Sequence, residues 1–422
     1  MGRTYNRTRR EFFKQVAVLA QTGAVATAMP WWKPLGAGIP TQAPSDRVRL
    51  GIIGPGSRGQ YLMRMLQQIE GVEIAAFCDD YRPHYDWASD QTEGQARGFT
   101  DYRDLLDMQD LDGVVIATPL HEHARMTVDA LHAGKAVFVE KSLARTIDQC
   151  FAIKRAAEET GNIFQIGHQR LFSLRFLRAL EMIKADTIGP MRQIRAYWHR
   201  NGDWRREVPT PDLERKINWR MYHEYSCGLM TELASHHIQV ANWFLGERPE
   251  LAVGSGGINH WMDGREVYDN VHVTYRYPSG VHLLYDSMIS NRKYGLELQL
   301  MGPKGAIEAE TGKLFLEEPP PAPGIVQLIN DIERGIFNTI PIGGASWVPD
   351  LAVDSEGAYL TEEPPTSDGS DVQLVAFANA IRDGNPFEGM IEQALNAGVA
   401  TLMGFNAMVN EEIVYWPNET EA

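Results

Sequence analysis

The chain has 422 residues, of which 44% are hydrophobic and 23% are charged, and its formal net charge is −15 at pH 7. This composition excludes an intrinsically disordered protein, and the length is typical of a folded chain with roughly two or three domains. An acidic body repels phosphate backbones, so we expect no nucleic-acid partner.

The N-terminal segment is basic and then mildly apolar. The adjacent Arg9 and Arg10 precede an apolar run from Val16 to Ala28, a pattern that resembles the bacterial twin-arginine export signal. The run is too short and too polar to span a membrane, which takes ~20 apolar residues, so we expect no membrane span. We predict that residues 1–28 are this signal, that residues 29–46 are a linker and that the protein is periplasmic or otherwise exported. A disordered basic tail is the alternative.

A glycine-rich loop follows the first predicted strand, Val48 to Ile53. It reads Gly54-Pro55-Gly56-Ser57-Arg58-Gly59, which we call the glycine loop, and it precedes a predicted helix from Gln60 to Ile69. The first glycine permits a tight turn, the second lets the backbone approach a pyrophosphate, and the third allows close helix packing. The helix N-terminus supplies amide donors to the phosphates. This strand–loop–helix context predicts a dinucleotide-binding Rossmann domain over residues 47–168.

An acidic residue follows the second predicted strand at the spacing that a dinucleotide site requires. Asp79 lies 20 residues beyond Gly59, where a carboxylate accepts hydrogen bonds from the adenosine ribose and repels a 2′-phosphate. NAD is therefore favoured over NADP as the cofactor. Arg58 keeps NADP open, because a guanidinium near the ribose tolerates that phosphate.

Strands and helices continue to alternate after Asp79. Strands are predicted at residues 113–117, 136–139 and 163–166, with helices between them. Ligands on such sheets bind beyond the carboxyl ends of the strands. The candidate cofactor-binding residues outside the glycine loop and Asp79 follow these strand ends; they are Thr118, Pro119, Leu120, His123, Glu140, Lys141 and Gln169.

The apolar period changes from Met191 onward. Ile194, Ala196 and Trp198 alternate with polar residues, and similar runs recur up to Leu300, which predicts a sheet with one buried face. Residues 338–370 show no steady period and are interpreted as an insertion. Two helices are predicted beyond them, at residues 371–382 and 391–410.

The glycine loop with Asp79, the Thr118-Pro119 turn with His123, and the pair Glu140-Lys141 resemble the Gfo/Idh/MocA superfamily of oxidoreductases, which includes glucose–fructose oxidoreductase and inositol dehydrogenases. The resemblance spans roughly residues 48–416. It implies an α/β chain with an N-terminal Rossmann domain and a C-terminal α+β domain, built over residues 169–370 on a large, mostly antiparallel open sheet. It also implies that terminal helices in 371–416 pack back on the body and that the protein is a homo-oligomer, a dimer or tetramer.

Two further motifs of that superfamily locate candidate catalytic residues. Its Glu-Lys-Pro motif matches Glu140-Lys141, with Ser142 in place of the proline, and implies that the lysine contacts both the nicotinamide and the reacting hydroxyl. Its glycine-led helix matches residues 228–236, where Glu232 and His236 stand four residues apart and so share one helical face. Glu232 replaces the usual aspartate, and Gln239 stands where an aspartate often follows the histidine.

Aromatic and polar residues leave the predicted strands of the second half at several places. A few such groups converging in a packed cleft fit a small polar ligand such as a sugar, although ordinary loop chemistry explains each segment equally well. The candidate substrate residues are Trp204, Arg205, Arg220, Glu232, His236 and Asp269. No set of histidines and acids predicts a metal site, so we expect no metal.

We therefore predict an NAD-dependent oxidoreductase that oxidises a ring hydroxyl of a sugar or glycoside to a ketone. Lys141 and His236 would transfer the proton, and Glu232 would orient the sugar. One alternative is an NAD-dependent glycosidase that oxidises the sugar transiently and eliminates the aglycone; another is a non-catalytic sugar-binding homologue. Because the periplasm offers no comparable nicotinamide pool, we expect the NAD to be tightly bound.

Overall fold

The computed structural model describes residues 47–317, 357–361, 367–385 and 387–418. The predicted export signal and linker lie outside these described residues, as does most of the predicted insertion. Within the described ranges, no helix combines the length and apolarity needed to cross a bilayer.

Six parallel strands of the described chain form the first sheet, in the order β3-β2-β1-β4-β5-β6. Their bounds are β1 Val48–Ile53, β2 Val72–Cys78, β3 Arg97–Phe99, β4 Gly113–Ile116, β5 Ala136–Val139 and β6 Phe164–Ile166. The helices between them are α1 Ser57–Leu66, α2 Arg82–Gln91, α3 Tyr102–Leu106, α4 Leu120–His132 and α5 Ile147–Thr160. From the centre of the sheet, the chain adds β1 to β3 towards one edge and β4 to β6 towards the other, which is the strand order of a doubly wound Rossmann sheet. The central strands are apolar because helices cover both faces of the sheet.

The elements differ from the sequence-based expectation in several respects: β3, α3 and the helices Leu174–Lys184 and Glu214–Ile217 were not predicted, and other bounds differ by a residue or more. Helix α1 begins at Ser57, three residues before the predicted start at Gln60, because residues of the glycine loop already adopt helical geometry. Helix α2 was not predicted at all. It buries only Ala88 fully, so its sequence carries little of the apolar periodicity from which a helix is recognised.

Nine strands of the described chain form a second sheet, in the order β14-β13-β12-β11-β7-β10-β9-β8-β15. All of its pairs are antiparallel except β7 with β10. The bounds are β7 Gln193–His199, β8 Leu251–Gly257, β9 Asn270–Arg276, β10 His282–Met288, β11 Leu296–Gly302, β12 Gly305–Glu308, β13 Lys313–Leu316, β14 Ala358–Tyr359 and β15 Val414–Tyr415. The predicted fold class, a Rossmann domain followed by a large and mostly antiparallel sheet, is confirmed.

One face of the second sheet is covered by helices. The remaining helices are α6 Leu174–Lys184, α7 Glu214–Ile217, α8 Ser235–Leu245, α9 Ser370–Asp383 and α10 Met390–Asn410. Helices α8 and α10 pack on each other, and α10 lies against β8 and β9. The approach is close: a Cβ added at Gly404 of α10 would lie 2.1 Å from the Tyr275 hydroxyl on β9. Because α10 also contacts α5 and β6, the terminal helix joins the two sheets.

Candidate active site

A cavity of about 530 Å³ lies where the carboxyl ends of the Rossmann strands face the end of β7 and the approach to α8. Both domains supply its walls. The sequence-predicted residues that line it are Arg58, Thr118, Leu120, His123, Glu140, Lys141, Gln169, Trp204, Arg205, Arg220, Glu232 and His236. These twelve predicted residues are thus brought together in one place, whereas Gly54, Gly56, Ser57, Gly59, Asp79, Pro119 and Asp269 do not line this cavity.

The glycine loop is shaped by two close backbone approaches. Gly54 has φ +85°, and a Cβ there would lie 2.8 Å from Thr118 Cγ2; a Cβ at Gly59 would lie 2.2 Å from the Gly54 carbonyl oxygen. No side chain fits at either position, because backbone cannot move aside cheaply. At Gly56 a Cβ would meet only His84, at 3.4 Å, so protein packing does not by itself require this glycine.

The polar groups around the loop fit a dinucleotide. Helix α1 has Gly56 at its N-cap and no side-chain cap, so its first amide groups are left for a phosphate. Thr118 Oγ1 and Gln169 Oε1 are buried in the cavity wall without a hydrogen-bond partner among the described residues. Buried polar atoms are nearly always paired in proteins, so these two indicate a polar ligand.

Asp79 lies at the carboxyl end of β2, as predicted. Its Oδ1 accepts a hydrogen bond from the Tyr81 amide at 2.8 Å, and its Oδ2 lies 3.2 Å from His84 Nδ1. A carboxylate has about four acceptor sites, so these contacts orient it and leave acceptor sites for ribose hydroxyls. Arg58 is directed elsewhere, because its Nε donates to Glu140 Oε1 at 2.7 Å.

Two of the predicted cofactor residues support the strand ends. Glu140 is buried; it accepts from Arg58 and from the Lys141 amide, at 3.1 Å. The ring nitrogens of the buried His123 lie 2.8 Å from the Ser142 carbonyl oxygen and 3.0 Å from that of Thr118. His123 therefore forms part of the wall while its polar atoms connect the segments that follow β4 and β5.

Lys141 links the end of β5 to the second domain. Its Nζ donates to the carbonyl oxygens of Thr231, at 3.2 Å, and Glu232, at 2.9 Å. The Ser142 hydroxyl donates to the same Thr231 oxygen at 3.0 Å, and the peptide bond between Lys141 and Ser142 is cis. Burial lowers the pKa of Lys141 below the ordinary lysine value. The ammonium is thereby both held in place and made easier to deprotonate.

Glu232 and His236 reach the cavity from a backbone that is not a regular α-helix. Residues Met230–Ala234 form a π-helical turn that leads into α8, so the predicted α-helical spacing is wrong in detail although both side chains line the cavity. Arg220 Nε donates to Glu232 Oε2 at 2.8 Å.

The electrostatics of the two side chains differ. Burial alone would raise the pKa of the Glu232 carboxyl, but Arg220 and Lys141 outweigh it and hold that pKa below its usual value. Burial, reinforced by Arg170 and Lys141, lowers the pKa of His236 well below its usual value. At neutral pH, Glu232 is therefore an anion and His236 is a neutral imidazole that can accept a proton.

The predicted substrate residue Asp269 is wrong as a cavity residue. It is fully buried, and its carboxylate accepts from the amides of Asn259, His260 and Trp261 at 2.7 to 2.9 Å. A carboxylate saturated by backbone donors holds a loop and has little capacity left for a ligand. The sequence placed it at a strand end but did not show which way its oxygens were used.

Trp204 and Arg205 line the cavity in different ways. Trp204 has φ +63°, a conformation that a bulky residue adopts only when its surroundings impose it, and its side chain faces the cavity. The Arg205 guanidinium is already bound by Asp263, at 3.1 Å, and by Glu214. Arg205 therefore stabilises the cavity wall through these ion pairs.

The cavity also contains residues that sequence reasoning did not select: Ala117, Trp198, Arg200, Arg206, Trp219 and Leu233. Trp198 was interpreted only as an alternating strand residue, yet it is the next-to-last residue of β7 and lies beside the site, with its ring centroid 5.6 Å from that of His236. Trp219 stacks on the Arg220 guanidinium, at 4.2 Å. The signal available in the sequence was the clustering of tryptophan and arginine immediately after a strand.

A Rossmann sheet, a second open sheet and a shared cavity carrying a lysine and a histidine define a dinucleotide-binding oxidoreductase architecture. Residues 48–168 match the family model described as "Oxidoreductase family, NAD-binding Rossmann fold", and residues 176–308 match "GFO/IDH/MocA C-terminal domain". The chain belongs to the Gfo/Idh/MocA oxidoreductase family, as the sequence motifs indicated.

Individual relatives are similar over smaller or more divergent regions. A "Glycosyl hydrolase family 109 protein" from Shewanella sp. (strain W3-18-1) is 30% identical over 207 residues, which cover 44% of this chain and 44% of the relative. The chain thus matches less than half the length of this curated relative, and a protein of the same name from Shewanella baltica (strain OS155 / ATCC BAA-1091) shares 29% over the same extent.

Solved structures show the same fold at lower identity. Scyllo-inositol dehydrogenase from Lactobacillus casei, solved with bound NAD(H) and scyllo-inositol, has a TM-score of 0.63 at 19% identity, covering 87% of this chain and 99% of that one. The WlbA dehydrogenase from Bordetella pertussis, solved with NADH and UDP-GlcNAcA, has a TM-score of 0.67 at 16% identity, covering 88% and 98%.

The pairing of Glu232 with Arg220 predicts an acid-dependent stability. We expect Glu232→Gln to lower the free energy of unfolding at pH 7 by about 1–3 kcal/mol, because it leaves Arg220 and Lys141 without their counter-charge. Since the folded pKa of Glu232 is depressed, this contribution is present above the ordinary pKa of about 4.5 and is lost as the pH falls through the folded value. Urea unfolding of both proteins between pH 7 and pH 3.5 should show the difference shrinking at the acid end. The exposed Glu207→Gln is the control, and a pH-independent difference would contradict the assignment.

Proposed function

We propose that the protein is an NAD-dependent oxidoreductase that oxidises a ring hydroxyl of a sugar or glycoside to a ketone. The observation that carries the proposal is the convergence of Lys141, Glu232 and His236 on the cavity into which the carboxyl ends of the Rossmann strands open. Rossmann sheets bind dinucleotides at that edge. A sugar lying between these side chains and the cofactor would present a hydroxyl to both a base and a cation.

Each residue has a distinct part in this chemistry. The neutral imidazole of His236 accepts the hydroxyl proton, since burial keeps it unprotonated at neutral pH. Lys141 is fixed by two carbonyl oxygens and donates a hydrogen bond to the developing oxyanion. Because its pKa is lowered, it also assists His236 in the transfer of the hydroxyl proton. Glu232, held by Arg220, orients the remaining hydroxyls. The nicotinamide supplies the hydride acceptor that alcohol oxidation requires.

NAD is the cofactor that we propose, in preference to NADP. The support is the position of Asp79 at the end of β2, together with the engagement of Arg58 by Glu140, because the arginine that would tolerate a 2′-phosphate is held at another strand end. We further propose that residues 1–28 direct export through the twin-arginine route, which carries folded proteins. A cofactor acquired before export and not replaceable afterwards should be tightly bound.

A homo-oligomer, either a dimer or a tetramer, is also proposed by analogy with the family. Its support is the outer face of the second sheet, where Val253 of β8 and Leu284 of β10 are exposed on either side of Thr274 of β9. Such apolar side chains on an open sheet face are the kind that association covers.

Retention of the cofactor is directly testable. We expect the protein, purified from a bacterial cytoplasm without added nucleotide, to release NAD(H) at roughly one equivalent per chain when it is denatured. Mass spectrometry of the released small molecules distinguishes NAD(H) from NADP(H). Release of no nucleotide would contradict tight binding, and release of NADP(H) would contradict the role of Asp79.

The proton-transfer roles predict a separation of binding from turnover. We expect Lys141→Met and His236→Asn each to lower kcat by about 10²-fold or more, because general acid–base groups contribute roughly that much, while nucleotide content stays near one equivalent. Turnover is followed at 340 nm with sugars and methyl glycosides. The exposed substitutions Lys293→Met and His260→Asn are matched controls and should retain wild-type rates. Full activity in both active-site variants would contradict the assignment of proton transfer to Lys141 and His236.

A second candidate function is an NAD-dependent glycosidase, in which transient oxidation is followed by elimination of the aglycone. It is favoured by the relatives named as glycosyl hydrolase family 109 proteins. The same residues would serve both reactions, because the first step is again removal of a hydroxyl proton. The third candidate, a sugar-binding homologue without catalytic activity, requires that neither Lys141 nor His236 transfers a proton.

The outcome of the reaction distinguishes these candidates. We expect the purified protein, without added NAD, to reduce its bound cofactor when a sugar substrate is added, with an absorbance rise at 340 nm and no release of aglycone. A panel of 4-nitrophenyl glycosides in both anomeric forms provides the substrates. Nitrophenolate release without net NADH would favour the glycosidase, and binding without either signal would favour the non-catalytic reading.

A further inference from the structure

The cavity wall is strongly cationic although the chain as a whole has a net charge of −15. Among the described residues that line it, six are lysine or arginine and two are acidic. They are Arg58, Lys141, Arg200, Arg205, Arg206 and Arg220, against Glu140 and Glu232. An excess of cations in an acidic protein indicates selection for a ligand with negative charge.

Most of these cations are already occupied. Arg58 is paired with Glu140, Arg205 with Glu214 and Asp263, and Arg220 with Glu232 through its Nε. Lys141 donates to backbone carbonyl oxygens. The charged group of each of these residues therefore already has a partner within the protein.

Arg200 and Arg206 remain. The Arg200 guanidinium lies over the ring of Trp198, 5.2 Å from its centroid, whereas Arg206 has no such contact among the described residues. The Arg206 amide donates to the Asn218 side chain at 2.8 Å and its carbonyl oxygen accepts from it at 3.0 Å, so its backbone is fixed. Its guanidinium, in contrast, makes no hydrogen bond to any residue in the described parts of the chain, and the side chain lines the solvent-facing rim of the cavity. The backbone from which this guanidinium extends is thus fixed, and the protein itself does not use the guanidinium donors.

The neighbours of Arg206 place it at the sugar end of the cavity. Burial and the adjacent Arg220 lower the pKa of Arg206, and Glu232 partly offsets them. Arg58, in contrast, lies near Glu140, Tyr61 and Ser370, against the glycine loop. Arg206 therefore faces the group that Glu232 would orient and not the phosphates of a dinucleotide.

We propose that the substrate carries an anionic substituent, a carboxylate or a sulfate ester, which Arg206 binds together with the free Nη groups of Arg220. This inference rests on the proposed function, because it names the class of sugar that the same cavity accepts. Within the described chain, Glu232 is paired with Arg220 alone and offsets the charge of Arg206 only in part, so an oxyanion between the two guanidinium groups would relieve their repulsion. A guanidinium fork matches the geometry of such an oxyanion.

The preference is measured by binding, independently of catalysis. Trp198, Trp204 and Trp219 line the cavity, so their fluorescence reports occupancy. The probes are methyl D-glucosides, methyl D-glucuronides and methyl D-glucoside 6-sulfates in both anomeric forms, titrated into the nucleotide-containing protein. We expect at least one anion to bind about tenfold more tightly than its neutral counterpart, with the difference reduced at high salt. The carboxylate and sulfate arms identify which anion is preferred.

Variants assign the preference to Arg206. Arg206→Gln should abolish it and Arg206→Lys should retain part of it, whereas Arg192→Gln, which removes an exposed arginine outside the cavity, should leave it unchanged. Equal binding of neutral and anionic probes by the wild-type protein, or an unchanged preference in Arg206→Gln, would overturn the proposal. Loss of bound nucleotide in Arg206→Gln would also overturn it, by assigning the side chain to the cofactor.

Turnover of the same probes is recorded in parallel. An anion preference without turnover would reject the oxidoreductase proposal and keep the binding inference. Turnover of neutral sugars without any anion preference would do the reverse, so the two proposals fail separately.

Discussion

The contact between Lys141 and the carbonyl oxygens of Thr231 and Glu232 is the constraint on which the site depends. It joins the end of a Rossmann strand to the π-helical turn of the second domain. A lysine ammonium satisfied by backbone carbonyls has a fixed position, and its burial weakens its hold on the proton. The lysine therefore connects the two domains and, in the proposed reaction, is also the cation next to the reacting hydroxyl.

The substitutions that set this chain apart from the usual family pattern are compatible with that arrangement. Ser142, in place of proline, donates to the same Thr231 oxygen as Lys141 and so reinforces the junction. The longer Glu232 is reached by Arg220. Gln239 is buried and does not line the cavity. None of the three changes removes a group that the proposed chemistry needs.

Charge organises the rest of the cavity. Glu140 and Glu232 are each paired with an arginine, and the cations around Glu232 keep its pKa below the usual value, while burial and nearby cations lower the pKa of His236. Burial is the main cause of the lowered pKa of His236, and Arg170 and Lys141 act on the imidazole in the same direction.

Local physics explains why part of the structure could be predicted from the sequence. Gly54 and Gly59 are required by close backbone approaches. Asp79 was identified by its distance from the glycine loop, and Lys141 by its position after a parallel strand. Each of these depends on a few neighbouring residues, and so does the period-two pattern of the second sheet. The Rossmann domain, its cofactor class, the strands of the second half and the strand-end residues of the cavity were accessible in this way, whereas the large open sheet, Glu232 and His236 were implied by the family resemblance.

Interactions between distant segments decided what the sequence left open. Asp269 and Arg205 look like ligand-binding groups, but their polar atoms are used by residues 257–263 and by Glu214. Trp198 and Arg206 look like ordinary strand and loop residues, yet folding brings them to the cavity. The sequence by itself determined the backbone framework, because turns, periods and strand ends are local. Only the tertiary structure decided which side chains remain free for a ligand, because residues far away in the chain determine whether a polar group already has a hydrogen-bond partner.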